Sequence, residues 1–154
     1  MTPYKRSLLI QFIVVLLATV AAVVAMLHLK DYVNRSEAMR AMTQLGQRVL
    51  AHRSERGSLP SQSFIDDVKD DVDGAVRIGN VRYRALWIGP DAPAGTILAY
   101  SEKRHPSSFL DDGFVVLRLD GSVEWMPSAQ FADLFATQRT DAEVESLSGG
   151  AEAD

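Results

Sequence analysis

Cysteine is absent from the 154-residue chain, which removes disulfides, thiolate metal sites and cysteine nucleophiles from consideration. Proline is scarce, and none falls between Pro3 and Pro60, so no ring interrupts a helix across that stretch. Charge is missing altogether from Leu8 to Leu27. Positive charge is nowhere dense enough to form the Lys/Arg face that phosphate backbones require, so nucleic acid is excluded as a main partner. Phosphate-loop, dinucleotide and zinc signatures are also lacking, and no cofactor is implied by them. The charge that is present is uneven. The formal net charge of -4 comes from a basic stretch up to Pro60, an acidic run over 61–73 and an acidic end from Arg139.

The uncharged stretch is interrupted only by Gln11 and Thr19. At about 1.5 Å per residue it spans the ~30 Å hydrocarbon core of a bilayer. A cleaved signal peptide is the competing reading, with Ala18, Ala21, Ala22 and Ala25 as small residues, but its apolar region is usually only about 7 to 15 residues long. The expectation is a retained anchor. Lys5 and Arg6 before it face Lys30, Arg35 and Arg40 after it, so the positive-inside rule is nearly balanced. The short N-terminal tail and single span favour an N-terminus in the cytoplasm and a domain outside it.

Beyond the anchor, Met39, Met42, Leu45 and Val49 recur at helical spacing among Arg40, Thr43, Gln44, Gln47 and Arg48, which predicts an amphipathic helix. Nothing before Arg56 compels a break, so anchor and helix should form one rod of nearly 50 residues, ~75 Å long. Gly57-Ser58-Leu59-Pro60 ends it. Ser61 to Val72 predicts a short helix, with Ser63 and Asp66 as an Asp-bearing capping box. Val76–Ile78 and Val81–Arg84 alternate around Gly79-Asn80, which predicts a first hairpin, extendable through Leu86 to Ile88. Thr96 to Tyr100 reads as a buried strand, and Ser101 to Gly113 as a loop. Phe114–Leu119 and Ser122–Trp125 flank Asp120-Gly121, a strong hairpin signal. Ser128 to Gln138 closes the domain as a helix with Phe131, Leu134 and Phe135 on one face. The end of the chain, acidic and rich in small residues, is expected to lack fixed structure.

An anchor, two helices and antiparallel hairpins are the architecture of type IV pilin-like proteins, and three stretches carry the likeness. Lys5-Arg6-Ser7-Leu8-Leu9-Ile10-Gln11-Phe12 resembles a degraded prepilin motif. Gln44-Leu45-Gly46, followed by Gly57-Ser58-Leu59-Pro60, resembles the pattern at the rod's end in pseudopilins. Gly113 to Trp125, with Asp120-Gly121 at its turn, resembles the C-terminal hairpin of type II secretion pseudopilins. The resemblance implies a structural subunit of a secretion or pilus-like assembly, inserted in the inner membrane and packing on other subunits through its N-terminal helix. It also marks departures. Arg6, before Ser7, stands where the prepilin peptidase needs Gly. Gln11 stands where the family carries a Glu, whose carboxylate meets a neighbouring subunit's terminal amine.

Other candidate sites carry competing structural explanations. His105, Ser107, Ser108, Asp111 and Asp112 supply hydrolase residue types, yet no nucleophile elbow accompanies them and no catalytic residue is expected. Asp111, Asp112 and Asp120 offer the hard oxygens calcium prefers. The resemblance also implies calcium in that region, while a solvated turn explains the same residues without metal. Asp66, Asp67, Asp70, Asp71 and Asp73 read as a solvated helix face. Trp87 and Trp125 are expected to pack in the core or hairpins.

The expectation is therefore an α+β fold: a long N-terminal helix, half transmembrane and half amphipathic, packed on a small antiparallel sheet. Residues 1–7 form a cytoplasmic tail, 8–29 the membrane helix, 30–138 the extracytoplasmic domain and 139–154 an acidic tail. Two functional readings stay open: a pseudopilin-like structural subunit, or a tethered binding module that does not assemble. Neither is an enzyme.

Overall fold

The structure is a computed structural model that describes residues 3–89, 91–104 and 111–149, with side chains given outside 3–6 and 147–149. Helix α1, Pro3–Arg56, runs unbroken for 54 residues. It is followed by α2 (Gln62–Asp70), α3 (Ala75–Ile78), β1 (Arg82–Tyr83), a 3-10 turn at Ala85–Trp87, β2 (Ile97–Lys103), β3 (Gly113–Arg118), β4 (Val123–Pro127), α4 (Ser128–Gln138) and α5 (Asp141–Gly149). The four strands form one antiparallel sheet in the order β1-β2-β3-β4. The fold is α+β, as the pattern of the chain implies.

Helices cover both faces of the sheet. On one face α1 places Ala38, Ala41, Met42, Leu45 and Val49, all fully buried, against Leu98, Val115 and Leu117, with Ile65 and Val68 of α2 completing the cluster. The stripe is turned slightly from the expected one: Met39 is only partly buried, and the small Ala38 and Ala41 are fully buried, Ala41 close to Gly74 at the start of α3. Alanine is a weak marker of a buried face because its side chain contributes little apolar area. On the other face Phe131 of α4 packs with Ile97, Val116 and Met126, flanked by Tyr100, Phe114, Leu134 and Phe135. Alternation along β3 accounts for this division, with Phe114 and Val116 facing α4, and Val115 and Leu117 facing α1. An irregularity between Ile97 and Ala99 shifts the register of β2.

The second hairpin turns at Asp120-Gly121, where Gly121 takes φ +86° and the Arg118 N–H donates to the Ser122 carbonyl at 2.9 Å. The first hairpin does not form. Val76, Arg77 and Ile78 belong to the single helical turn α3, bounded by Gly74 and Gly79 at positive φ. That turn buries Ile78 and leaves Val76 exposed. Its Arg77 and Ile78 carbonyls find donors across the fold: the Ser101 hydroxyl reaches Ile78, and Lys103 Nζ reaches both. Leu86 does not extend a strand either; it sits in the 3-10 turn, 89 % exposed. β1 pairs with β2 instead, Arg82 opposite Tyr100.

Three smaller expectations are also corrected. The N-cap of α2 is Ser61, whose hydroxyl accepts from the Phe64 N–H, and not Ser63. Ser101 to Lys103 continue β2 and are not loop. Of the tail from Arg139, Asp141–Gly149 is helical and buries Glu143.

Candidate functional site

Two regions carry chemistry or surface that the fold alone does not require. The first is the N-terminal half of α1. Every described side chain from Ser7 to Leu27 is exposed, and the large apolar ones from Leu8 to Leu29 emerge on all sides of the helix. A helix that is apolar all round belongs in an apolar surrounding. This one is long and apolar enough to cross a membrane. Ser7 and Gln11 lie one turn apart on the same side of α1, both exposed. Arg6 continues the helix, and its side chain lies outside the described residues.

The second region, which the sequence did not disclose, is a buried ion pair. Arg84, just past β1, is 2 % exposed, and Glu143 of α5 is 3 % exposed. The pair is bidentate: Nε donates to Oε1 and one terminal nitrogen to Oε2, both at 2.7 Å. Two more guanidinium donors are met by the Ile97 carbonyl at 2.8 Å and the Gln138 carbonyl at 3.0 Å. The Phe135 ring lies 4.8 Å from the guanidinium carbon. A desolvated charge is tolerable when paired and hydrogen-bonded, as these four bonds make it here. The two residues are 59 apart in the chain, beyond any local motif. The alternation that placed Arg84 in a strand beside Arg82 gave no sign that it meets another element.

Beside the pair runs an open groove of about 410 Å³, lined by Asn80, Arg82, Tyr100, Glu102, Phe114 and Phe131. A smaller hollow between Arg82, Arg84, Trp87, Tyr100 and Glu143 continues it. Burial pushes the Tyr100 hydroxyl above its ordinary pKa, with Arg82 partly opposing the shift.

The three candidate calcium carboxylates are not brought together. Asp111 and Asp112 precede β3, whereas Asp120 follows it, so the strand's length of about 20 Å separates them. Asp120 instead accepts from the hydroxyl and N–H of Ser122, which hold its carboxyl below the usual range. The Asp112 carbonyl accepts from Ser128, at the start of α4. Among the described residues no cluster of three His, Asp or Glu side chains is placed to hold a metal ion. His105, Ser107 and Ser108 lie outside the described residues. Asp66, Asp67, Asp70, Asp71 and Asp73 are exposed on and after α2. Trp125 packs against the α1 face of the sheet, with the Arg35 guanidinium 4.4 Å from its ring. Trp87 is half-buried at the rim of the hollow beside Arg84.

No protein-family model, curated protein or solved structure matches this chain.

Proposed function

We propose that the protein is a membrane-anchored, pseudopilin-like structural subunit of a type II secretion or pilus-like assembly. Its N-terminus faces the cytoplasm and its domain stands on the other side of the inner membrane. The observation that supports this is the continuity of α1, whose first half is bare apolar surface and whose second half is the spine of the domain. A subunit built this way works by packing: helix against helix in the bilayer, domain beside domain outside it. The small residues Ala18, Ala21, Ala22 and Ala25 permit close approach between helices. No catalytic step is assigned to it.

Arg6 and Gln11 favour a second reading, a tethered module with the same architecture that does not assemble. A neutral amide at position 11 cannot form the charge-assisted contact that a carboxylate would, which is worth roughly twice a neutral hydrogen bond. Crosslinking in membranes distinguishes the two, using the wild type, Gln11→Glu, Arg6→Gly and the double variant. Ladders from the wild type identify an assembling subunit. Monomer in all four, with an active prepilin peptidase present, identifies the tethered module.

A further inference from the structure

We propose that Arg84 is the receptor of a C-terminal latch, and that Glu143 of a second copy can occupy it in place of the chain's own. The receptor side is built in. Backbone carbonyls of Ile97 and Gln138 hold two of the guanidinium donors, and Phe135 covers its face. The edge formed by Nε and one terminal nitrogen is left pointing at Glu143. That edge is a bidentate carboxylate site, whichever chain supplies the carboxylate.

The occupying side is modular. Of α5's described side chains only Glu143 is buried, while Asp141, Ala142, Val144, Glu145 and Ser146 are exposed. Among the described side chains of α5, Glu143 is thus the one that reaches the interior, and it does so through an ion pair. Thr140 belongs to the helix, since its hydroxyl accepts from the Glu143 N–H and its carbonyl from the Val144 N–H. α4 ends where the Arg139 N–H donates to Phe135. Arg139, extended at φ -78° and ψ 145°, is the joint between them. Exchange of such an element between identical chains preserves every contact it makes and changes only the joint.

The membrane supplies the encounter, and to this extent the inference rests on α1 as an anchor. Copies anchored by the same end of a continuous helix stand parallel, with Arg84 at one height above the bilayer. Confinement to a plane raises the effective concentration of one copy's latch at another's receptor. With Arg139 as the joint and Thr140 onward kept helical, Glu143 reaches only on the order of 10 Å beyond the end of α4. Exchange is thus limited to neighbours whose α4 ends meet, an arrangement related by a two-fold axis along the membrane normal.

Charge reversal tests this in the full-length chain in membranes. Arg84→Glu and Glu143→Arg each break the latch within a chain, yet a mixture of the two can satisfy both pairs, only in trans. The chain has no native cysteine, so Ser146→Cys on one variant and Asn80→Cys on the other, treated with a bis-maleimide, report exchange alone. The expected result is at least a tenfold excess of crosslinked heterodimer in the mixture over the same two cysteines carried by otherwise wild-type chains. Arg84→Glu/Glu143→Arg in one chain should restore the thermal stability that each single change lowers. Should the reversals prevent folding, the neutral Arg84→Gln mixed with Glu143→Gln recreates one Arg84–Glu143 pair only in trans, and should crosslink at least threefold more than the same two cysteines in wild-type chains. Folded partners that give no excess heterodimer overturn the exchange. A parallel crosslink through Ala18→Cys shows separately whether the rods associate, so loss of exchange and loss of assembly are told apart.

Discussion

Gly121→Ala is expected to be far more damaging than Gly57→Ala, although both glycines have positive φ, +86° and +73°. An L-residue in the left-handed region costs about 1–2 kcal/mol, and at Gly57, where an added Cβ meets nothing within 4 Å, that is the whole effect. At Gly121 the new Cβ falls 2.3 Å from Leu50 Cδ1 and 3.4 Å from its Cγ. Leu50 projects from α1, so the hairpin must lift or Leu50 must leave its place, an overpacking cost of about 1–3 kcal/mol. The sum is roughly 2–5 kcal/mol. With about 4–8 °C per kcal/mol for a domain of this size, Gly121→Ala should melt at least ~4 °C below Gly57→Ala. Near-UV circular dichroism of the full-length chain in detergent, following Trp87 and Trp125, measures both. Leu50→Ala should be partly compensating in the Gly121→Ala background, since it removes the clash. Equal losses at the two glycines, with no coupling to Leu50, would show that α1 does not pack under this turn.

Deleting residues 139–154 removes Glu143 from Arg84, and the loss should approach the roughly 3–5 kcal/mol typical of a broken buried pair; a melting temperature equal to the full chain's would show that α5 does not dock. Tyr83 donates to the Pro60 carbonyl at 3.1 Å, and burial pushes its hydroxyl up to about 12. Its stabilising effect is complete below its ordinary value near 10 and is lost as pH rises towards 12, so an ultraviolet titration should show a tyrosine ionising near 12, a step that Tyr83→Phe removes. For Asp120, whose folded pKa is lowered by Ser122, the sign is reversed: its contribution is present above the ordinary value of 3.8 and disappears as pH falls through the folded one. Asp120→Asn should therefore flatten the acid limb of the stability profile. Finally, intact-mass measurement of membrane-extracted protein should find residues 1–154 still joined, and a species beginning at Ser7 or near Met26 would contradict a retained anchor.

What could be read from the chain depended on the range of the interactions that decide each element. The β3–β4 hairpin and α4 were legible because Asp120-Gly121 and the Phe131, Leu134, Phe135 spacing are local signals that tertiary packing reinforces. Gly79-Asn80 is an equally local signal, and there packing overrode it. Ile78 reaches the core only if its turn is helical, and Ser101 and Lys103 then satisfy the carbonyls released. Ala38 and Ala41 escaped notice because small residues mark a close approach only once the opposing surface is known. Composition alone described Asp141–Gly149 as a solvated tail, since nothing near it in sequence reveals that Glu143 meets Arg84. The candidate metal residues failed for the same geometric reason in reverse: Asp111, Asp112 and Asp120 are near one another in the sequence, but β3 lies between them.

The anchor and the domain meet without a hinge, and this shapes what the domain can do. Between the last membrane residues and Ala38, the first fully buried residue of α1, only residues 30–37 intervene, ~12 Å of helix. That is about twice the ~5–8 Å of headgroup layer on one side, so with α1 spanning a bilayer the domain would stand close to its surface. Tyr32, 67 % exposed, sits where aromatic side chains favour the interface. Arg35 turns from the neck onto the Trp125 ring, tying α1 to β4 at the base of the sheet. Higher up, Gly46 could have weakened the rod, but a Cβ there would come within 2.6 Å of Leu117. Its absence lets the helix lie directly on β3, and packing holds straight what propensity would loosen. Rotation or lateral movement of α1 in the membrane is therefore transmitted to the whole domain.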